Sequence, residues 1–544
     1  MQYALPSTLQ LKPRGRRLTQ ILVFQLWCHI AVATQSDDEF YYGDFPEDFI
    51  WSSATSSYQI EGGWNASGKG VNIWDTFCHS YNGKVEGNAT GDIACDSFNN
   101  WRQDVEMLKF LGVQFYRFSI SWARIFPDGT NATINEAGIK YYSDLIDALI
   151  AANIKPFVTL YHWDLPQTLQ DFGGWENETM IEYFNQYAII CFQRYGDRVK
   201  HWLTFNEPWV VAWQGYGEGS FAPGIVSPGV AVYKAGHTMI KAHAKAYHTY
   251  NDTFRASQKG VISITLNTDF KSPKNTSNPL DVAAGERCLQ FSIGWFAHAI
   301  FKNGDYPEIM KEQVRSKSLA QGYNASRLPV FTEADQAYIK GTHDFFGLNT
   351  YTTQAVEHYV DPNSATNTPS YMDDQDRKES FDPSWPTSGA SWLRMVPWGI
   401  RRLLNWLKNE YNDPEIFITE NGISDRNATS VLLQDSWRVN FYNQYINNVL
   451  KAIRKDNVNV RAYTAWSLMD NFEWGRGYEE HYGLYYVDMS DPKRPRTAKD
   501  SAKWYKKMIA DNGFKKNSSG AKINTGTLFN VIALSVIATL AASK

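Results

Sequence analysis

His201-Trp-Leu-Thr-Phe-Asn206-Glu207-Pro208 and Glu415-Ile-Phe-Ile-Thr-Glu420-Asn421-Gly422 are two versions of one pattern. Each is an apolar, β-prone run that reaches a glutamate and is then stopped by Pro or Gly. An acidic side chain at the point where a buried strand opens is poorly explained by packing. Working outward, β-rich runs of similar length recur at 50–55, 114–119, 155–160, 201–205, 261–266, 344–348, 415–419 and 460–465. Helical patterns fall between them, at 141–151, 179–195, 399–411 and 436–455 among others. Eight strands alternating with helices predict parallel βαβ units and an α/β chain closed as a (β/α)8 TIM barrel. No low-complexity linker or charge block interrupts residues 34–512, which read as a single domain. The stretch 361–391, rich in Pro, Ser, Asp and Asn, reads as a long insertion, of the kind that walls a barrel's active site.

Composition agrees with a large folded core: 544 residues, 43% hydrophobic and 20% charged. A formal net charge of -4 supplies no basic face, so nucleic acid is excluded as a partner class. The 20 Trp exceed what packing alone asks for, and aromatic faces are platforms for the C–H face of a pyranose. Most of these Trp are still expected in the core.

The two ends carry targeting patterns. Arg14, Arg16 and Arg17 precede an apolar run at 21–32, and Ala31-Val32-Ala33 offers a small-residue cleavage site, so 1–33 reads as a signal peptide. Nine Asn-x-Ser/Thr sequons, at Asn65, Asn88, Asn131, Asn177, Asn251, Asn275, Asn324, Asn427 and Asn517, fit a secretory route and an extracellular or cell-surface destination. At the other end, 513–544 holds small residues from Asn517 to Gly520, a polar spacer, and a greasy run at 528–543. That order is the pattern of a GPI-anchor signal; a short membrane-spanning tail is the competing reading. Cys78 and Cys95 flank a Gly- and Asn-rich loop that a disulfide would close in an oxidising compartment, whereas Cys191 reads as a buried free thiol. No Cys–His spacing and no HExxH string suggests a metal, and no cofactor is implied.

In a barrel, polar residues at the C-terminal strand ends are the working ones. A lone glutamate there has ordinary explanations, such as capping a helix or pairing with Arg; two, on strands four and seven, point to chemistry. Carboxyls facing across a barrel mouth suit glycoside hydrolysis: one protonates the departing oxygen, the other attacks the oxocarbenium-like carbon. Burial and mutual repulsion keep the acid protonated. Arg117, in Tyr116-Arg117-Phe118-Ser119, is placed to keep Glu420 ionised, or to form a purely structural ion pair.

Thr204-Phe-Asn-Glu207-Pro208 and Ile418-Thr-Glu420-Asn-Gly422 resemble the acid/base and nucleophile motifs of family 1 glycoside hydrolases. Further matches appear in family order and span the chain between its two ends. They are Phe49 to Gly62, Tyr116 to Trp122, Leu160 to Pro166, Gly215 to Gly224, and Trp466 to Trp474. The resemblance implies a retaining β-glycosidase on a TIM barrel, with a small-molecule β-glucoside as substrate and galactosides or fucosides as further candidates. It implies Glu207 as acid/base and Glu420 as nucleophile, with Arg117, Asn349 and Tyr351 supporting the nucleophile. Gln59, His162, Asn206, Glu473 and Trp474 would hydrogen-bond the non-reducing sugar, and Trp466 would be its stacking floor. Glu473 near O4 and O6 would repel a phosphorylated sugar, so neutral glycosides are expected.

The chain departs from the family pattern in places. Asn349-Thr350-Tyr351 stands where two successive Tyr are usual, His481 where Arg is common, and Tyr482 where Phe is common. Both catalytic glutamates are kept. Two other functions share this sequence pattern: a transglycosylase using the same covalent intermediate, and a cell-surface binding protein that retains the fold without turnover. Membrane attachment would run through the C-terminal tail.

Overall fold

The computed structural model describes residues 39–80, 83–425 and 433–516. The segment read as a signal peptide, the C-terminal tail and the sequons at Asn427 and Asn517 lie outside these residues.

Eight parallel strands close into a barrel. They are β1 (Ile50–Ala54), β2 (Phe115–Ser119), β3 (Lys155–Tyr161), β4 (His201–Asn206), β5 (Val261–Asn267), β6 (Phe346–Asn349), β7 (Ile416–Asn421) and β8 (Val460–Trp466). Each pairs with the next in sequence, and β8 returns to β1 with Ala54 opposite Trp466. The expected (β/α)8 barrel is therefore present, with strand positions as read from the sequence to within two residues at either end.

Each strand is followed by a helix that covers the outside. These are α1 (Ser97–Leu111), α2 (Glu136–Ala151), α3 (Met180–Tyr195), α4 (Ala231–Thr249), α5 (Pro279–Phe291), α6 (Trp398–Glu410), α7 (Ser436–Asp456) and α8 (Asp500–Asp511). α1, α7 and α8 end on left-handed residues, Gly112, Asn457 and Asn512, whose N–H groups bond back to the last turn. With helices outside and side chains inside, the strands are buried on both faces, which is why they read as near-continuous apolar runs.

The barrel is sealed at one end and open at the other. Phe115, Phe157, Leu203, Phe345, Phe417 and Ala462, from the first half of their strands or just before, form a separate buried cluster that closes the bottom. Rings there meet at centroid distances such as 4.6 Å for Phe345–Phe417 and 5.8 Å for Phe157–Phe345. At the bottom the first and last described segments also meet. Gly43–Asp44 pairs antiparallel with Gly513–Phe514, and Trp51 Nε1 donates to Asn512 Oδ1 at 2.9 Å.

The insertion is more ordered than its composition suggested. Arg377–Ser380 pairs antiparallel with Thr353–His358, which runs parallel to Phe270–Pro273, giving a small sheet beside the barrel mouth. The disulfide reading fails: Cys78 and Cys95 are free thiols. Cys95 is fully buried and donates to the Asp470 carbonyl, while Tyr58 donates to Cys78 at 3.5 Å, so each sulfur is held on a different partner. Cys191 is a buried free thiol, as expected. Among the described residues no group of three or more metal-ligating side chains gathers, and no helix is long and apolar enough to cross a membrane.

Candidate active site

The open end of the barrel leads into a cavity of about 340 Å³ lined by Glu207, Asn349, Tyr351, Glu420, His162, Trp466, Glu473 and Trp474. Its floor is the ring of strand ends. Glu207 follows β4 in a left-handed conformation (φ 48°, ψ 65°), which turns the chain abruptly into the short helix Pro208–Val210. A non-glycine residue held there costs energy, and such strain clusters at functional sites. Glu420 lies within β7 one residue before its end and is 4% exposed; Glu207 is 7% exposed.

The two carboxyls have different neighbours. Arg117 points up from β2 and donates Nη1 to Glu420 Oε1 at 2.7 Å and to the Thr419 carbonyl at 3.0 Å. Tyr351 donates its hydroxyl to the other oxygen, Oε2, at 2.6 Å. Among the described residues Glu207 forms no ion pair, the Arg117 charge acting on it only from a distance, and Asn349 Nδ2 donates to its Oε1 at 2.6 Å. Burial first, then repulsion from Glu420, pushes the Glu207 carboxyl up to about 8. Burial leaves Glu420 raised as well, but the Arg117 charge and the Tyr351 hydroxyl oppose that rise. Of the two, Glu420 is the one equipped to stay ionised and Glu207 the one equipped to hold a proton.

An amide network fixes these positions. Arg117 Nη2 donates to Asn206 Oδ1 at 2.6 Å, and Asn349 Nδ2 reaches the same oxygen at 3.1 Å. The Thr419 hydroxyl donates to Asn349 Oδ1 at 2.7 Å, which holds that amide with its nitrogen toward Glu207. Asn206 Nδ2 then donates to His162 Nε2 at 3.0 Å. That bond assigns the His162 proton to Nδ1. Burial, with the Arg117 charge, holds His162 well below the usual range, so the ring is neutral. Nδ1 is buried and has no protein partner among the described residues.

Opposite, Gln59 is clamped by Ser56 and donates Nε2 to Asn471 Oδ1, the Phe472 carbonyl and Glu473 Oε2 at 2.9, 2.9 and 3.3 Å. Glu473 Oε1 is buried and unpartnered among the described residues. Burial, and repulsion from Glu480, Glu420 and Asp470, push this carboxyl well above its usual range. Trp466 ends β8 with its ring 5.9 Å from the His162 ring at 19°, and Trp474 stands 5.9 Å from His162 at 17°. A buried acceptor, a buried donor and flat aromatic walls thus share one compartment, a set that matches sugar hydroxyls and C–H faces.

The structure brings all the sequence-selected residues to this one site. Arg117, Asn206 and Gln59 form the layer beneath the cavity rather than its lining. Asn349, its amide turned by Thr419, makes its short bond to Glu207 at 2.6 Å and also acts on the Glu420 carboxylate, as expected of a residue beside the nucleophile. Of the substituted positions, Tyr482 lines the cavity and meets Tyr351 edge-on at 6.3 Å. His481 faces Asp470 at 3.4 Å. Among the other Trp residues, Trp392 lines the cavity, whereas Trp175 is fully buried and Trp398 packs on Phe270. Sequence reading missed Lys271, Gln354, Arg377 and Glu379, which line the cavity from the small sheet. Lys271 lies just past the end of β5, where the barrel rule was available to find it; Arg377 and Glu379 lie in the insertion and carry no signal.

Known proteins share this arrangement along nearly the whole chain. The model of glycosyl hydrolase family 1 matches residues 41–514. Human lactase/phlorizin hydrolase is 53% identical over 510 residues, 94% of this chain but only 26% of that protein, so the chain spans about a quarter of that relative. Guinea-pig (Cavia porcellus) cytosolic β-glucosidase is 46% identical over 472 residues, covering 87% of this chain and 99% of its own. Among solved structures, a mutant of rice Os3BGlu6 β-glucosidase in a covalent complex with Glc superimposes with a TM-score of 0.81 at 38% identity, covering 86% of this chain and 99% of that one. With its barrel, its paired carboxyls and this match from end to end of the folded region, the chain belongs to glycosyl hydrolase family 1.

Proposed function

We propose that the chain is a retaining β-glycosidase that releases terminal non-reducing β-D-glucosyl residues by double displacement. The observation that carries this reading is the asymmetry of the carboxyl pair, with Glu420 held by Arg117 and Tyr351 and Glu207 held by an amide alone. In the first step Glu207 gives its proton to the glycosidic oxygen as the C–O bond breaks, and a Glu420 oxygen bonds the anomeric carbon. In the second, Glu207, now a carboxylate, takes a proton from water. That water attacks the same carbon, and the ester to Glu420 breaks. Two inversions restore the β configuration. Ester formation removes the Glu420 charge that had raised the Glu207 carboxyl, so the same group serves as acid and then as base.

His162 Nδ1–H and Glu473 Oε1 fit the glycone hydroxyls, with Gln59 holding Glu473 from beneath and Trp466 as the apolar floor. Support for glucose as the glycone comes from the relatives named β-glucosidase. The same polar set accommodates an axial O4, so galactosides and fucosides are proposed as further substrates. Secretion, with attachment through the C-terminal tail, is proposed on the two end segments. It is supported by exposed sequon asparagines at 65, 88, 131, 251, 275 and 324, with Asn177 half-buried.

The test is Glu420→Ala assayed on an aryl β-glucoside. Turnover is lost, and azide restores it by yielding the glycosyl azide of inverted configuration. Folded protein that azide does not rescue overturns the assignment of Glu420.

A further inference from the structure

Gln59 and His162 stand on different loops, Gln59 in the short helix Ser57–Ile60 after β1 and His162 directly after β3. β2 separates those two strands in the barrel, so no ladder of hydrogen bonds sets one loop against the other. Their neighbours in sequence are joined instead. Ser57 donates its hydroxyl to Asp164 Oδ2 at 2.8 Å. Ser119, the last residue of β2, bridges the same point: its hydroxyl takes the Ser57 N–H at 2.7 Å and donates to the Ser57 hydroxyl at 3.1 Å. All three side chains are buried.

The tie reaches the sugar-facing groups through few bonds. Ser56, beside Ser57, donates to Gln59 Oε1 at 2.7 Å, and Gln59 Nε2 reaches Glu473 Oε2 at 3.3 Å. On the other loop only Trp163 separates Asp164 from His162. Trp163 is held left-handed at φ 75°, a conformation that costs a bulky residue energy and has to be fixed by its surroundings. Its indole N–H donates to the Asn206 carbonyl at 2.9 Å, and the Leu165 carbonyl takes the Ile73 N–H at 2.8 Å. To these the Asp164 carboxyl adds the link to the helix that carries Gln59. Burial pushes that carboxyl up to about 6; Glu61 adds to the rise, while the Ser57 and Ser121 hydroxyls and the Lys69 charge oppose it. At neutral pH it is ionised and its bond from Ser57 is charge-assisted. A buried carboxylate is costly, and what this one returns is a directed bond between two loops.

We propose that Asp164 is a positioning residue for the glycone. By holding Ser57 it sets the spacing between His162 Nδ1–H and the Gln59–Glu473 pair, so that both meet hydroxyls of one sugar ring. The inference rests on the glycosidase reading. Asp164 does not line the cavity. Loss of the tie therefore weakens recognition of individual hydroxyls and leaves proton transfer by Glu207 and attack by Glu420 in place.

The experiment measures kcat/KM for an aryl β-glucoside and for the same glucoside lacking one hydroxyl, at C3, C4 or C6. It does so in the wild type, Ser57→Ala, Asp164→Ala and Asp164→Asn. In the wild type a missing hydroxyl is penalised, because a buried protein group is left unpaired. In Ser57→Ala and Asp164→Ala at least one penalty shrinks about tenfold, the worth of one hydrogen bond, and KM for the parent glucoside rises. Asp164→Asn, whose amide oxygen still accepts from Ser57, keeps most of that penalty. Penalties unchanged in folded Ser57→Ala and Asp164→Ala, with only Tm lowered, overturn the positioning role and leave the catalytic reading standing. A wild-type protein that turns over no β-glucoside overturns the catalytic reading, and this inference with it.

Discussion

Arg117 reaches Glu420 with one guanidinium nitrogen and Asn206 with the other, and the amides beyond it pass the arrangement on to Glu207 and His162. Two glutamates at matching strand ends thereby receive different protonation. With its pKa raised to about 8, Glu207 carries a proton at neutral pH and releases it above. kcat/KM on an aryl β-glucoside should therefore fall as pH rises through about 8, approaching tenfold per unit, and a pH–rate profile reads this directly. The same shift has a stability sign. The folded protein binds a proton that the unfolded chain, with its carboxyl at 4.5, releases, so Glu207 destabilises the fold progressively as pH rises from about 4.5 to 8. Glu207→Gln should raise Tm relative to wild type at pH 8 and leave it nearly unchanged at pH 4, as thermal melts at the two pH values would show. A fall in Tm at pH 8 would contradict the assignment of the proton. The glutamates themselves were legible, because acidic side chains closing apolar strands stand out. Their different roles came with the resemblance to the family; the contacts that cause the difference did not, because Arg117, Asn349 and Tyr351 are far from them in sequence and only the barrel brings them within 3 Å.

At the scale of elements, β7 and β8 must approach closely where their working residues diverge. A Cβ on Gly422, two residues past Glu420, would lie 2.0 Å from the Trp466 carbonyl oxygen. Gly422→Ala should push apart the strand ends that carry the nucleophile and the Trp466 floor. The expected cost is about 1–3 kcal/mol of stability, with a larger proportional loss of kcat/KM, read by denaturant titration beside kinetics. In the sequence this Gly served as a strand stop; the reason for it is a steric contact with β8. The strands and their order were legible because parallel strands buried on both faces are apolar throughout. The helix α2 starts at Glu136, earlier than the expected 141, because its first turn is held by packing against Arg124 and its neighbours rather than by an apolar stripe. The sheet formed by Phe270–Pro273, Thr353–His358 and Arg377–Ser380 was illegible. Its strands are short and polar, and their pairing is between distant segments.

For the whole molecule, the ribbon of Gly43–Asp44 with Gly513–Phe514 ties the two ends of the domain beneath the barrel, and Phe40 packs edge-on against Phe514 at 5.0 Å. Ending the chain after Asp511 removes Asn512 and Phe514 from these contacts. That should lower unfolding free energy by about 2 kcal/mol or more, the worth of one buried aromatic side chain, compared with a chain ending at Lys516 in the same denaturant titration. Activity of the folded fraction should be unchanged, since the ribbon lies at the end of the barrel opposite the cavity. What the sequence by itself determined is the class of the fold, the eight strands and the identity of the carboxyl pair, since these follow from local periodicity and from residue types at strand ends. Only the tertiary structure decided by which contacts Glu420 is held, that Cys78 and Cys95 stay apart, and that Lys271, Arg377 and Glu379 meet at the mouth of the cavity. Each of these depends on distances between segments remote in the chain. Such distances are set by how the strands close and the loops pack, and no local pattern encodes them.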